Sequence, residues 1–447
     1  MMEEKLQKGW RVSTIPELIS KDGIFSDGDW VESKDQDPNG DVRLIQLADI
    51  GDGVYKDKSE RFLTSEKASQ LRCTYLKSGD ILIARMPDPL GRSCIFPLSG
   101  KFVTVVDVAI IRPTCNSKWL MYWINTPQFR AEIFKNASGS TRLRISRKNL
   151  SQIKFPLPTL PEQQRIVAKL DALFGHLDSL REKLDGIPAL LKNFRQQVLT
   201  QAVTGELTKE WREGKGLGEW EYIDLQEVAD VVDPHPSHRT PPPVIGGIPY
   251  ISIKDVDSKG RIDFSNSTLV SSKVLEEHIK RYELKEGDLG FGKIGTLGKP
   301  FQLPIFKERT YTLSANIILI QPKSNYNPKF LFYYLDSPII NKLLKEGAKA
   351  TSQPAFGIKK ARVFPTPNPS KEEQKEIVSQ VDALFSLADK IESQYVSLKA
   401  KIDQLPQAIL AKAFRGELVS QEVKEYVLEE GEGLMAAEKI GFYKSKK

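Results

Sequence analysis

Cysteine is scarce: 3 in 447 residues. Cys73, Cys94 and Cys115 share no C-x-x-C spacing, which argues against a disulfide framework or a zinc site. No run of about 18 apolar residues occurs, so no membrane-spanning helix is expected. The best candidate, "FVTVVDVAII", is short, carries Asp107 and reads as a buried strand. The N-terminus, "MMEEKLQKGW", lacks the apolar core of a secretory signal. Catalytic motifs are missing too. No Asp/Asn-Pro-Pro-aromatic motif is present to hold a target amine for methylation; "TPPPVIGGIPY" does not fit. The "ESK" beginning at Glu32 is an isolated fragment of a nuclease pattern, which needs clustered carboxylates around a metal. "GFGKIG", residues 290–295, matches G-x-G-x-x-G, but Gly298 and Pro300 deny it the following helix a dinucleotide site requires. "DPHPSH", from Asp233, reads as an extended loop rather than a metal site. These absences predict a cytoplasmic, non-enzymatic chain with no metal or cofactor of its own and no membrane partner.

Charge is present, and it is unevenly placed. The net formal charge is +7. Residues 1–69 hold 10 Lys+Arg against 15 Asp+Glu, whereas residues 70–158 hold 14 against 4. The alternation then recurs: 5 against 11 in residues 219–277, and 15 against 6 in residues 278–365. Two basic blocks in register suggest a polyanion, most simply nucleic acid.

The charge repeat follows a sequence repeat of about 210 residues. "LKSGDILIAR" from Leu76 matches "LKEGDLGFGK" from Leu284, and "KWLMYWINTP" from Lys118 matches "KFLFYYLDSP" from Lys329. "DALF" occurs at Asp171 and at Asp382, each followed at equal distance by "GEL". Each unit opens with short apolar runs split by Gly, Asp and Pro, the pattern of a mixed α/β domain. Each then passes a Pro-rich hinge and changes character. From Ile166, apolar residues recur at alternating steps of 4 and 3 through Leu170, Leu173, Leu177, Leu180, Leu184, Ile187, Leu191, Phe194 and Val198. Adding 211 gives Ile377, Val381, Leu384, Ala388, Ile391, Tyr395, Leu398, Ile402, Leu405 and Ile409. Over four heptads of this spacing predict a long coiled-coil helix in each unit, roughly 60 Å long. Pro161 suits a first helical position, while Pro188 and Pro406 predict a kink or break. The expected architecture is two α/β domains with two long helices forming an antiparallel coiled coil, related as a pseudo-two-fold repeat. The boundaries expected are 1–158 and 209–367 for the domains, 159–208 and 368–420 for the helices, and 421–447 for a tail of short helices.

Candidate DNA contacts fall in two places per unit. One is a Gly-containing turn with cations: Arg85 and Arg92 in the first unit, Lys293, Thr296 and Lys299 in the second. Arginine can pair bidentately with guanine, and lysine and threonine suit phosphates. The other is a polar loop before each hinge. It holds Ser140, Thr141, Arg142, Arg144, Arg147 and Lys148 in the first unit, and Lys349, Thr351, Ser352, Gln353 and Lys359 in the second. Small hydroxyls among cations are a phosphate-gripping composition. His238 and Arg239, in the Pro-rich loop of the second unit, complete the set.

The helix segments "PLPTLPEQQRIVAKLDALF", "IPALLKNFRQQVLTQAVTGELTKEW", "EEQKEIVSQVDALFSLADKIE" and "LPQAILAKAFRGEL" resemble those of the specificity subunits of type I restriction-modification systems. The resemblance spans essentially the whole chain. It departs at the second hinge, "PTPNPSKEEQ", where a Pro-Pro-Leu hinge is common in that family, which blurs the start of the second helix. It implies two target recognition domains, each reading one half of a split, asymmetric site in double-stranded DNA. It also implies a helical spacer that sets the gap and docks two methylation subunits, with marks at Ile166, Leu170, Leu173, Phe174, Leu177, Ile377, Val381, Leu384 and Phe385. The subunit would be non-catalytic. S-adenosylmethionine, ATP and Mg would sit on the methylation subunits and two restriction subunits. The alternatives are a stand-alone DNA-modifying enzyme, disfavoured by the missing motifs, and a coiled-coil assembly protein, disfavoured by the doubled basic blocks.

Overall fold

The structure is a computed structural model that describes residues 6–7, 9–87, 89–139, 142–235, 237, 239–257, 260–347 and 355–418. The expected tail of residues 421–447 lies outside the described residues. The chain divides into two compact units, residues 1–182 with 398–447, and residues 183–397.

The described residues of unit 1 contain nine strands, β1 (Arg11–Ser13), β2 (Ile24–Asp27), β3 (Val42–Ile45), β4 (Phe62–Leu63), β5 (Ile81–Ala84), β6 (Ser93–Ile95), β7 (Phe102–Thr104), β8 (Val108–Arg112) and β9 (Phe155–Leu157). They form a four-stranded sheet of order β2-β8-β5-β6, a three-stranded sheet of order β4-β3-β7 and the pair β1-β9. β5, "ILIA", and the first four residues of β8 are buried, so the run "FVTVVDVAII" is indeed buried strand, divided by a turn at Asp107 into β7 and β8. The helices are α1 (Ser65–Gln70), α2 (Ser117–Ile124), α3 (Pro127–Lys135), α4 (Arg147–Ser151) and α5 (Leu160–Asp185), the last reaching the unit's boundary. Side chains that accept from the first-turn N–H groups start α2 (Asn116), α3 (Thr126) and α4 (Ser146).

Unit 2 repeats the topology. α6 (Ile187–Thr204) and α7 (Lys209–Gly214) lead into β10 (Glu221–Asp224), α8 (Leu225–Val228), β11 (Ala229–Val232), β12 (Ile248–Ile251), β13 (Thr268–Val270) and α9 (Ser272–Ile279). β14 (Leu289–Gly292), β15 (Gly298–Gln302), β16 (Thr312–Leu313), β17 (Ile317–Pro322), α10 (Pro328–Asp336), α11 (Pro338–Gly347), α12 (Ile358–Arg362) and β18 (Pro365–Asn368) follow. The sheets are β11-β17-β14-β15, β13-β12-β16 and β10-β18, the same sets in the same order as in unit 1. The last helix, α13 (Lys371–Phe414), is continuous over 44 residues. Its residues to 397 belong to unit 2 and its residues from 398 to unit 1.

Within unit 1, Ile166, Val167 and Leu170 of α5 share a core with Trp119, Trp123 and Phe155 of the domain and with Leu410, Ala413 and Phe414 of α13. Arg181 lies 3.6 Å from Asp403, so the two helical segments run antiparallel. Within unit 2, Val198, Leu199, Ala202 and Val203 of α6 share a core with Phe330 and Tyr334 of the domain and with Ile377 and Val381 of α13. Here Arg195 bonds Asp389 at 2.7 Å and Glu392 at 2.9 Å, again antiparallel. Gly205 closes α6 in the left-handed conformation, φ +83°, and Gly416 adopts φ +74° two residues past α13.

Two expectations about the helices need refinement. The 4-3 pattern predicts two equivalent seam positions per heptad. One is buried (Leu170, Leu177, Leu184, Leu191 and Val198), whereas the other opens at Leu180, Ile391, Leu398 and Leu405. The prolines also differ. The helix breaks at Gly186, and Pro188 then falls in the first turn of α6, where its missing N–H costs nothing. α13 passes through Pro406 without a break, leaving the Ile402 carbonyl without its usual donor.

Candidate nucleic-acid interface

The two places flagged in each unit are neighbours in space. In unit 1 the turn after β5 meets the loop before α4, where the Ile145 N–H donates to the Arg85 carbonyl at 3.1 Å. In unit 2 the Phe356 N–H donates to the Lys293 carbonyl at 2.8 Å, and Ile294 bridges Ala355. Each unit thus builds one site from a turn and a loop about 60 residues apart in sequence.

The cations at the heart of this junction are structural. Arg85 is buried, pairs with Asp27 at 2.9 Å and donates to the Val106 carbonyl. Burial pulls its guanidinium below its ordinary pKa, with Asp27 opposing the shift. Lys293 is its counterpart, buried and 2.9 Å from Asp233. Arg92 donates to the carbonyls of Ile50 (2.6 Å), Pro89 (3.0 Å) and Leu47 (2.7 Å). A buried cation with such partners is not available to a phosphate. The placement of Arg85, Arg92 and Lys293 therefore corrects their reading as open DNA contacts.

What faces outward is the second layer. Ser138 and Arg144 exchange backbone bonds of 2.9 and 2.8 Å. Gly139 stands at φ +117°, and a Cβ there would meet the Arg142 carbonyl oxygen at 2.4 Å. Arg142 and Lys148 are exposed. Arg144 reaches Asp107 at 3.1 Å, and Arg147 reaches the Phe25 carbonyl at 3.3 Å and Asp27 at 3.9 Å, both half-exposed. Three arginines thus converge on two aspartates, with Arg142 and Lys148 beside them. In unit 2, Thr296 and Lys299 are exposed in and beside the β14–β15 turn, with Lys299 at φ +51°. Lys359 is exposed at the start of α12, and Arg239 is exposed in the Pro-rich loop. Ser140, Thr141, His238, Lys349, Thr351, Ser352 and Gln353 lie outside the described residues.

The spacer residues have a local role. Ile166, Leu170, Leu177, Ile377 and Val381 are buried, and Leu173, Phe174, Leu384 and Phe385 are partly buried. Phe174 packs on Tyr122 with ring centroids 5.5 Å apart, and Phe385 on Tyr333 at 5.8 Å. A polar clamp beside each was not foreseen. Asp171 accepts from Lys118 Nζ and Tyr122 Oη, both at 2.6 Å. Asp382 accepts from Lys329 Nζ at 2.7 Å and from Tyr333 Oη. Gln163 and Gln374 add a matching pair, accepting from the Asn116 and Asn327 N–H groups. Every one of these residues recurs at +211, a signal that the aligned repeats already carried.

Among the described residues no helix is long and apolar enough to cross a membrane, and no cluster of three metal-ligating side chains occurs. Two copies of one mixed α/β domain, each with a basic loop and each packed on long helices, define a tandem recognition scaffold. A family model described as the type I restriction modification DNA specificity domain matches residues 7–189 and again 218–399. The chain belongs to that family. It is 32% identical over 311 residues to the EcoBI specificity subunit of Escherichia coli, covering 66% of this chain and 65% of that one. It is 28% identical to the Escherichia coli EcoDI specificity subunit, covering 80% and 82%. In fold it is similar to the crystal structure of the HsdS subunit from Thermoanaerobacter tengcongensis, with a TM-score of 0.60 over 92% of this chain and 98% of that one, at 19% identity.

Proposed function

We propose that the chain is the DNA sequence-specificity subunit of a type I restriction-modification complex acting in the cytoplasm. Each recognition domain binds one half of a bipartite, asymmetric site in double-stranded DNA. Arg142, Arg144, Arg147 and Lys148 grip the backbone from unit 1, Thr296, Lys299 and Lys359 grip it from unit 2, and Arg239 reaches the bases of the unit 2 half-site. The observation that carries this reading is the duplication itself. Topology, clamps and buried cations are held in common, while the outward-facing residues differ between units, so each unit presents its own reading surface on a shared frame. Two different surfaces on one frame suit a non-palindromic site. The helices act as a spacer. Their exposed apolar residues, Leu180 and Leu405 in unit 1 and Leu387, Ile391 and Val396 in unit 2, offer each unit its own docking patch for a methylation subunit. S-adenosylmethionine, ATP and Mg are carried by the methylation and restriction subunits, and this chain performs no chemistry itself.

Expression with the methylation subunits, followed by sequencing of methylated adenines, tests the reading. A two-part motif is expected, and insertion of one or two helical turns after Ser179 should lengthen its gap while both halves persist. A single undivided motif, or halves that change with the insertion, would overturn it.

A further inference from the structure

Four buried side chains of unit 2 form one hydrogen-bonded line that ends on the Pro-rich loop. His235 Nε2 lies 3.1 Å from the Arg239 carbonyl, and His235 Nδ1 lies 2.8 Å from His278 Nε2. His278 Nδ1 lies 2.5 Å from Thr312 Oγ1, which lies 2.8 Å from Tyr282 Oη. All four residues are more than nine-tenths buried. The proton positions follow from chemistry. A carbonyl only accepts, so His235 Nε2 carries the hydrogen. His235 Nδ1 is then a lone pair and takes the proton of His278 Nε2. His278 Nδ1 takes the Thr312 hydroxyl, and Thr312 accepts from Tyr282. With both imidazoles neutral, every donor along the line meets an acceptor.

The far end of this line is Arg239, whose side chain is exposed. Pro241, Pro242 and Pro243 follow it and carry no N–H, so the loop cannot be held by a backbone ladder there. The bond from His235 ties the loop to the core. Unit 1, whose only histidine is His176 of α5, cannot build this pair. His235 stands two residues past Asp233, and two residues past Asp27 stands Asp29, which accepts the Thr74 N–H at 3.0 Å.

We propose that His235 and His278 are positioning residues that fix Arg239 for reading the half-site of unit 2. The inference rests on the proposed DNA role of unit 2. Burial holds His278 down at about 4, with the neighbouring His235 and Arg281 adding to the effect. The Tyr250 ring packs at 5.6 Å from His235, and Asp233, paired with Lys293, precedes it in the chain. Among the described residues no carboxylate bonds either imidazole, so nothing offsets the cost of charging His278. His278 therefore stays neutral at neutral pH and takes up a proton only as the pH falls toward about 4.

The test uses the complex with its methylation subunits and duplexes altered in one half-site at a time. His235→Ala should lower discrimination at the unit 2 half-site about tenfold and leave the unit 1 half-site unchanged. His235→Gln, which can donate to the Arg239 carbonyl and accept from His278, should restore most of it. Equal losses at both half-sites would overturn the inference. So would an effect of Arg239→Ala with none of His235→Ala. If Arg239→Ala is itself silent, the DNA role of this loop falls, and the positioning role falls with it.

Discussion

The two units place the same glutamate at the same point of their long helices and surround it differently, which allows one substitution to serve as control for the other. Glu373, in the first turn of α13, is buried in unit 2. It accepts from Thr208 Oγ1 at 2.8 Å, Arg212 Nη1 at 2.9 Å and Trp220 Nε1 at 2.9 Å. Arg212 is itself buried. Its counterpart Glu162, in the first turn of α5, is equally buried, but among the described residues its Oε2 has no hydrogen-bond partner, and neither has the indole N–H of Trp10. Removing one member of a buried ion pair strands the other charge, at a cost of about 3–5 kcal/mol. Glu373→Gln should therefore destabilise unit 2 by about 3 kcal/mol. For a domain near 200 residues that corresponds to a fall in Tm of about 6–12 °C. Glu162→Gln strands no cation among the described residues and forgoes the attraction of the carboxylate to the helix N-terminus, about 0.3–1 kcal/mol. Scanning calorimetry of the full chain should show the transition of unit 2 falling in the first variant and little movement in the second. Equal falls in both would refute the idea that the Arg212 pairing sets the two sites apart.

Other outcomes follow from the same geometry. Leu177→Ala, at the buried seam position, should cost about 2–5 kcal/mol, whereas Leu180→Ala, at the open one, should stay within about 0.5 kcal/mol by urea denaturation. Arg142→Ala with Arg144→Ala should weaken DNA binding and reduce the slope of log K against log salt by about 2; an unchanged slope would reject their phosphate role. Asp29 is raised to about 6 by burial, against the Thr74 N–H that lowers it. Its contribution is fully present below about pH 4 and is lost as the pH rises through 6, so Asp29→Asn should raise Tm at pH 7.5 and leave it unchanged at pH 4. Tyr122→Phe and Tyr333→Phe should each cost about 1 kcal/mol, and a loss confined to one unit would show the clamps unequal.

The sequence carries the architecture because duplication prints it twice. A lone heptad pattern or basic block is ambiguous, but the recurrence of Ile166, Leu170 and Asp171 as Ile377, Val381 and Asp382 marks positions that packing requires. The candidate site was legible only in part. Arg85, Arg92 and Lys293 look like DNA contacts in one dimension because their partners are distant in the chain: Asp27, the Leu47–Ile50 turn and Asp233. Whether a cation faces a carboxylate or the solvent is decided by sheet pairing across some 40 to 60 residues, which spacing alone does not reveal. His235 and His278 escaped for the same reason, and a Pro-rich loop draws attention to its tip rather than its root.

The clamps at the two domain–helix junctions have a consequence for how such chains diversify. Asn, Lys and Tyr on the domain side, and Gln and Asp on the helix side, meet through equivalent bonds in both units. They work as a common plug and socket. A domain that keeps the plug can be exchanged, moved from one helix to the other or redrawn across its outer loops without renegotiating its seat. New sequence preferences can then arise by assortment of whole domains, with the fittings left untouched.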